Sequence, residues 1–227
     1  MGAFFDEVFI PFWQGGAPRT LEKYAFGQFF WTHSYYPHQL LEVWRPESLD
    51  QQLHIARDFN PKSAPGNLFK KPVPYSFPHL KHDEEFLVLR AKKRPVMLIQ
   101  PPDGALTGLP KATGDLKLVR QLCVVAPVFS IVDEAGDSKL NATVRDRIRG
   151  LQYPQFVMLP SGSGGPLQRD SVMRFDELQS VAINQLEHTG FSLTPEVLDV
   201  VRAQAAFFLT GTGGDIYLDY RNLLAEP

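Results

Sequence analysis

The chain has 227 residues, a formal net charge of −2 and a pI of about 6.3, which excludes a surface coated with positive charge for nucleic acid but allows a local basic site. The single cysteine, Cys123, excludes a disulfide framework and a cysteine zinc site, and favours a reducing cytoplasm. No apolar stretch reaches the roughly 18 residues of a membrane span, the N-terminus lacks a cationic signal segment, and the length suits one large domain or a domain with an insertion.

Prolines and aromatic residues dominate the first third of the chain and limit its regular elements. An aromatic run over residues 26–37 predicts a strand, because large rings fit a pleated surface. Residues 38–44 could form a helical turn. Over residues 47–57, Ser48 can cap a short helix and one apolar stripe follows. Residues 60–80 carry a proline every few positions, which predicts loop or extended chain.

Regular patterns in the rest of the chain predict several short strands and two helices. A short helix over residues 141–151 is expected to end near Gly150. A longer helix over 194–211 has a threonine cap, a proline in its first turn and a final glycine. Together these elements predict an α+β fold built on a small barrel or a strongly curved sheet. The predicted strands are residues 85–89, 95–100, 117–129, 154–161 and 170–181.

Taken in order, several segments resemble the MazF/PemK family of toxin endoribonucleases, which share an SH3-like barrel with the CcdB gyrase poisons. The similar segments are GQFFWT (27–32), RPVMLIQ (94–100), VVAPVFS (124–130), RDSVMRFDELQSV (169–181) and LTPEVLDVVRAQAAFFL (193–209). The resemblance implies a small SH3-like β-barrel of the CcdB/PemK type with a C-terminal helix.

The same resemblance divides the chain into a barrel domain and three additions. The barrel domain would span residues 26–212, with an N-terminal extension over 1–25 and an insertion over 38–83. Residues 213–227 would be a tail or an extra edge strand. The segment GGDIYLDY within them resembles the first strand of the family even better than residues 27–32 do, although chain order favours the earlier segment.

The resemblance implies a metal-independent endoribonuclease that cuts single-stranded RNA and needs no cofactor. In this reaction a base removes the 2′-hydroxyl proton, the oxygen attacks the adjacent phosphate, and an acid protonates the leaving group. Arg94 matches the family's arginine at the start of the second strand, where a guanidinium can stabilise the phosphorane dianion. Ser130 matches the second hydroxyl of the family's Pro-x-Thr-Ser ending, and His33 a base found in some relatives.

Phe129 departs from the family pattern, because it stands where the family has a threonine that acts at the phosphate. A phenylalanine can neither donate a hydrogen bond nor transfer a proton. It could stack on a base of RNA, or it could fill the core. The departure favours an alternative, in which a catalytically dead barrel of this family binds a protein or a nucleic acid.

Further cations and one ring are candidates for RNA binding. The two lysines next to Arg94 could bind phosphate or keep a turn solvated. The arginines of residues 145–149 would share one face of an extended segment, whereas a helix would scatter them. The tyrosine that follows could stack on a base or pack in the fold. These candidates are Lys92, Lys93, Arg145, Arg147, Arg149 and Tyr153.

Two kinds of protein partner follow from the resemblance. Members of the family are inhibited by an antitoxin segment laid over the groove of a homodimer, so an antitoxin and a homodimer are expected here. No membrane partner is expected. A metal site is not expected either, because the histidines of the insertion lack ligand-like spacing.

Overall fold

The computed structural model describes residues 3–20, 23–36, 39, 42–50, 55–63, 86–102, 122–162 and 164–224, with the backbone alone at 45–50, 55–63 and 86. The chain divides into two compact units. The first comprises Met1–Ser34 with Lys93–Pro227, and the second comprises Tyr35–Lys92. The insertion expected over residues 38–83 falls within the second unit.

Strands make up most of the described elements. The strands are β1 (Trp13–Gly15), β2 (Gln28–Tyr35), β3 (Glu42–Asp50), β4 (Ile55–Ser63), β5 (Phe86–Val88), β6 (Ala91–Gln100), β7 (Leu122–Ser130), β8 (Phe156–Leu159), β9 (Ser171–Arg174), β10 (Gln179–Ala182) and β11 (Glu187–Leu193). The helices are α1 (Phe5–Val8), α2 (Ala142–Arg149), α3 (Pro195–Thr210) and α4 (Asp215–Leu223). Short 3₁₀ turns lie at Phe175–Glu177 and Ile183–Gln185.

The larger sheet has the strand order β1-β11-β2-β6-β7-β9-β8, with β10 also paired to β7. Neighbours such as β6 and β7, β7 and β9, and β8 and β9 are antiparallel. The predicted α+β class is therefore confirmed. Among the described strands this path starts at β1 and ends at β8 without closing into a barrel, so the SH3-like architecture is not confirmed.

Alternation of side chains along β6 and β7 sorts the apolar residues between two faces of this sheet. Met97 and Val128 point to what we call the back face, which packs against the apolar stripe of α3. Val96 and Val125 point to the opposite or front face, in a cluster with Phe30. Farther along the front face, a third cluster of Ile131, Ile148, Met158 and Val172 packs beside α2.

The N-terminal segment is part of the main core. The rings of Phe5 and Phe12 lie 5.7 Å apart, and the Trp13 ring lies 5.0 Å from that of Phe29 on β2. Strand β1 pairs with β11 and forms one edge of the sheet. Residues expected to be an addition therefore complete both the sheet and its back-face core.

The predicted helix over residues 47–57 is wrong, because its described residues belong to a hairpin. Strands β3 and β4 pair in antiparallel register from Glu42↔Ser63 to Asp50↔Ile55. The expected helical turn over 38–44 is likewise replaced by strand from Glu42 onward. Cross-strand hydrogen bonds are invisible in a local pattern, and they outweigh the weak intrinsic preference for a helix.

The edge strand expected within residues 213–227 is also wrong, because Asp215–Leu223 form helix α4. Tyr217 is fully buried, and its hydroxyl donates to the Leu151 carbonyl over 2.8 Å. Burying this ring against the back-face core explains why the segment is helical. The first strand of the sheet domain is therefore not residues 214–220.

Most other predicted elements are confirmed where the structure describes them, but the strand expected over residues 170–181 is divided into β9 and β10 by the 3₁₀ turn at Phe175–Glu177. Helix α3 begins with Pro195 and ends at Gly211, which adopts a φ of 73°. Helix α2 ends at Gly150 as expected. Within the described ranges, no helix combines the length and the apolar character needed to cross a membrane.

Candidate nucleic-acid interface

Four side chains form a row across four neighbouring strands on the front face. Continuing the register that pairs Val96 with Pro127 puts Arg94 opposite Phe129. The Arg94 guanidinium carbon lies 4.4 Å from the centre of the Phe129 ring. Arg174 on β9 lies 5.7 Å from the same ring and 5.5 Å from the ring of Phe156 on β8. We call Arg94, Phe129, Arg174 and Phe156 the front-face row.

The row is held together by contacts between cations and aromatic rings. Each such contact is worth about 0.5–2 kcal/mol, with the larger values where water is excluded. All four side chains are half-buried, so the row reaches the surface while its members restrain one another. The Phe129 ring is consequently a surface feature in contact with two guanidinium groups, not a filler of the back-face core.

The charge of Arg174 is offset by two carboxylates. Its guanidinium donates to both oxygens of Asp176, at 3.0 and 2.7 Å, and lies 2.7 Å from a carboxylate oxygen of Glu177. The hydrogen bonds with Asp176 raise the pKa of Arg174 against the opposing effect of burial. Arg174 therefore mainly positions the rings of Phe129 and Phe156, and adds little positive charge to the site.

The structure does not bring the three predicted catalytic residues together. Ser130 follows Phe129 on β7, so its side chain points to the back face, away from Arg94. Its hydroxyl donates to the Val132 carbonyl over 2.8 Å, which ties it to its own turn. His33 is exposed and alternates with front-face residues of β2, so it also points away from the Arg94 face.

The two predicted RNA-binding lysines lie at the start of β6. Ala91–Gln100 is continuous strand, so Lys92 and Lys93 do not form a turn. Lys93 points to the face opposite Arg94, and its ammonium lies 2.6 Å from the Glu187 carboxylate. Lys92 is exposed.

The three predicted RNA-binding arginines lie on helix α2, where they do not share one face. Arg149 has a structural role, because its guanidinium donates a hydrogen bond to Asp6 over 2.8 Å and lies 4.1 Å from the centre of the Phe4 ring. Arg145 makes a weak contact of 3.5 Å with Asp146. Arg147 is exposed and remains the more accessible cation of the set.

Tyr153 packs in the front-face cluster next to the row. Its ring meets that of Phe156 edge to face, with centres 6.1 Å apart. The ring is half-buried, so this predicted RNA-binding residue supports one end of the row. Contact with a ligand would use only its exposed edge.

Sequence reasoning missed three polar groups on the front face. Thr32 and Ser34 alternate with Phe30 on β2, and both are buried at 3% and 1% exposure, with hydroxyls that lack a hydrogen-bond partner. Glu177 is 6% exposed and has one carboxylate oxygen without a partner. Alternation from Phe30 would have found the two hydroxyls. The acidic residues two and three positions after Arg174 would have indicated that its guanidinium forms ion pairs.

Comparison with protein-family models gave no match, and comparison with curated proteins gave none. The resemblance to the MazF/PemK family therefore stays a hypothesis that rests on the segments quoted above. Among the residues that the structure describes, no three His, Cys, Asp or Glu side chains are grouped so that they could hold a metal ion. The front-face row is the arrangement from which a function can be argued.

Proposed function

We propose that this chain binds single-stranded RNA through the front-face row, as a MazF/PemK-like protein that does not cleave. The observation that supports this proposal is the guanidinium of Arg94 at 4.4 Å from the half-buried Phe129 ring. Unpaired bases stack on aromatic rings and on arginine planes, and each stacked base is worth about 1–3 kcal/mol. Stacking needs no excess of positive charge, which agrees with the offset charge of Arg174.

The separation of Arg94 from Ser130 and His33 favours binding over cleavage. Cleavage needs a proton acceptor within hydrogen-bond reach of the 2′-hydroxyl while the guanidinium contacts the phosphate. Side chains on opposite faces of one sheet cannot serve the same phosphodiester. Phe129, at the position of the family's threonine, adds no group that could transfer a proton.

The metal-independent, toxin-like endoribonuclease is the second candidate. One observation favours it: Thr32 and Ser34 place two buried hydroxyls without a partner on the face that carries Arg94. An SH3-like barrel of the CcdB/PemK type, a homodimer and an antitoxin partner belong to this candidate as further proposals. The alternative in which the front-face row binds a protein partner is an outcome of the same test.

The test measures the affinity of the purified chain for fluorescent single-stranded oligoribonucleotides by anisotropy, with EDTA present. We expect Arg94→Ala and Phe129→Ala each to weaken binding roughly tenfold, since about 1.4 kcal/mol corresponds to a factor of ten. Arg202→Ala is the matched control. It removes another cation over a ring, 5.3 Å from Phe26, on an exposed part of α3.

Each outcome separates the candidates. An equal loss of affinity in Arg94→Ala and Arg202→Ala, with none in Phe129→Ala, would mean that unspecific charge attraction holds the RNA and would contradict the proposal. No binding to any oligoribonucleotide would overturn it. The same samples are run on a denaturing gel. Cleavage products that disappear in Arg94→Ala would replace the binding proposal with the endoribonuclease, whereas bound but intact RNA supports it.

A further inference from the structure

Helix α4 presents apolar side chains to solvent. Ile216 and Leu223 are 48% and 77% exposed. They lie four residues before and three residues after Tyr220, so the three side chains share one side of the helix. Another side of the helix faces the core, where Tyr217 is fully buried. The helix therefore has a second apolar stripe, which its own core does not use.

The N-terminal segment extends this stripe into a surface patch. The Phe9 ring lies against that of Tyr220, with centres 5.2 Å apart. Val8 and Ile10, on either side of Phe9 in the chain, are 44% and 82% exposed. Exposed apolar side chains therefore surround the contact between the two rings. We call Val8, Ile10, Ile216 and Leu223 the α4 patch.

The grouping of these side chains distinguishes the α4 patch from ordinary exposed apolar residues. Six large apolar side chains are exposed among the residues that the structure describes in the first unit, and four of them form the patch. The other two are Leu122 and Leu209. Single exposed apolar residues need no explanation, whereas a group of them is typical of a surface that another molecule covers.

Two carboxylates give the α4 patch an acidic character. Asp215 and Asp219 are exposed, and neither forms an ion pair with a residue that the structure describes. They are four residues apart on the helix, so their like charges repel each other. Asp215 is stabilised by the N-terminus of the helix, but Asp219 lies beyond the first turn. The helix contains one cation, Arg221, whose Nε is directed at Gln152 over 3.4 Å.

The position of Asp219 decides which kind of molecule fits the patch. It lies between Ile216 and Leu223 on the same side of the helix, so a covering molecule must meet its charge. A second copy of the chain, docked through the same patch, would bring like carboxylates together. An anionic lipid surface would repel them as well. A basic amphipathic helix offers both an apolar stripe and cations beside it.

We propose that the α4 patch is a docking site for a basic amphipathic helix of a protein partner. The apolar residues of that helix, at spacings of three and four, cover Ile10, Ile216 and Leu223, and a Lys or Arg beside them pairs with Asp219. Helices commonly bind in this way, with an apolar face on an apolar surface and charges that fix the orientation. The proposal does not depend on RNA binding at the front-face row.

The experiment titrates fluorescent two-heptad peptides with the full chain and follows their anisotropy. The first peptide has leucines at helical spacing and lysines elsewhere. The second keeps the leucines and has glutamate in place of lysine, and the third keeps the lysines and has serine in place of leucine. We expect saturable binding of the first peptide, at least about tenfold tighter than that of the other two, because it alone matches both the apolar surface and the charge.

Variants of the chain test whether the first peptide binds at the α4 patch. Leu223→Ser is expected to weaken its binding about tenfold, and Asp219→Asn about threefold. The matched controls are Leu122→Ser and Glu134→Gln, which remove an exposed leucine and an exposed carboxylate outside the patch and should bind like wild type. Thermal melts of every variant confirm that the fold is retained.

Three outcomes would overturn the proposal. The first is the absence of saturable binding of the leucine and lysine peptide. The second is equal binding of the first and third peptides, because charge alone would then explain the affinity. The third is an equal loss of affinity in Leu223→Ser and Leu122→Ser, which would show that the peptide does not bind at the patch.

Discussion

Two neighbouring residues on β7 point their side chains to opposite faces of the sheet. Phe129 points to the front face and contacts Arg94. Ser130 points to the back face, and its hydroxyl donates a hydrogen bond to the Val132 carbonyl in the following turn. The two are one residue apart, and a strand reverses side-chain direction at every step. A candidate site assembled from sequence neighbours on a strand therefore splits in two when the strand forms.

Cys123 is a buried thiol in the folded protein. It is 2% exposed, and its Sγ donates to the Val181 carbonyl over 3.3 Å. Burial raises the pKa of the thiol to about 11 from an ordinary value of 9.0. In this environment Cys123 packs as a small core residue.

The first prediction concerns the reactivity of this thiol. At pH 8 we expect Cys123 in the folded chain to react with a thiol reagent at least about 100-fold more slowly than in urea, because two pKa units reduce the thiolate fraction by that factor. The reaction is unambiguous because the chain has 1 cysteine. Equal rates with and without urea would show that β7 does not bury Cys123.

Contacts between elements decide the role of several charged residues. The short helix α1 is attached to α2 through Arg149, which donates to Asp6 over 2.8 Å and to Glu7 over 2.6 Å. Burial by itself would lower the pKa of Arg149, but the hydrogen bonds that Arg149 donates to Asp6 and Glu7 outweigh it and raise that pKa. The hydrogen bond from Arg149 lowers the pKa of Glu7.

The second prediction tests this attachment. Arg149→Ala should lower the free energy of unfolding by about 2 kcal/mol, because charged hydrogen bonds in a half-buried place are lost. The matched control is Lys93→Ala, which removes an exposed pair with Glu187 and should cost under about 1 kcal/mol. Urea unfolding of both variants measures the difference, and equal effects would contradict the assignment.

The same attachment predicts a dependence on pH. The Glu7 carboxyl has a pKa in the folded protein below its ordinary value of 4.5. Its stabilising contribution is therefore complete above the unfolded pKa and is lost as the pH falls through the folded pKa. The stability difference between wild type and Glu7→Gln should shrink in acid, and a difference that grows as the pH falls would contradict this.

At the scale of the first unit, one core joins the N-terminal segment to the sheet and the C-terminal helices. Phe5 is fully buried and contacts the rings of Phe9 and Phe12 at 5.2 and 5.7 Å. Thr194, at the start of α3, donates from its hydroxyl to Pro11. The fold of this unit therefore depends on residues that the family resemblance treats as an addition.

The third prediction follows from this shared core. Phe5→Ala should lower the free energy of unfolding by about 3–5 kcal/mol, since a buried ring leaves a cavity that its surroundings only partly fill. Ile10→Ala, at a side chain that is 82% exposed in the same segment, should change it little. Chemical denaturation followed by circular dichroism compares the two. Similar small losses would mean that the segment is dispensable.

The amino-acid sequence by itself determined the elements whose signals are local. Helix α3 has its apolar stripe, its initial proline and its final glycine within 18 residues of chain, and α2 ends at a glycine. The strands β2, β6 and β8 follow from runs of β-favouring side chains. These signals need no distant partner, so they could be read without the fold.

Only the tertiary structure decided which residues share a site. Arg94, Phe129, Arg174 and Phe156 come from strands that hydrogen bonding places side by side, and the register of those strands puts their side chains on one face. Helix α4 likewise depends on a partner far away in the chain, the Leu151 carbonyl, and β3 and β4 depend on pairing with each other. Pairing and burial are long-range effects, and they outweigh local preference wherever the two disagree.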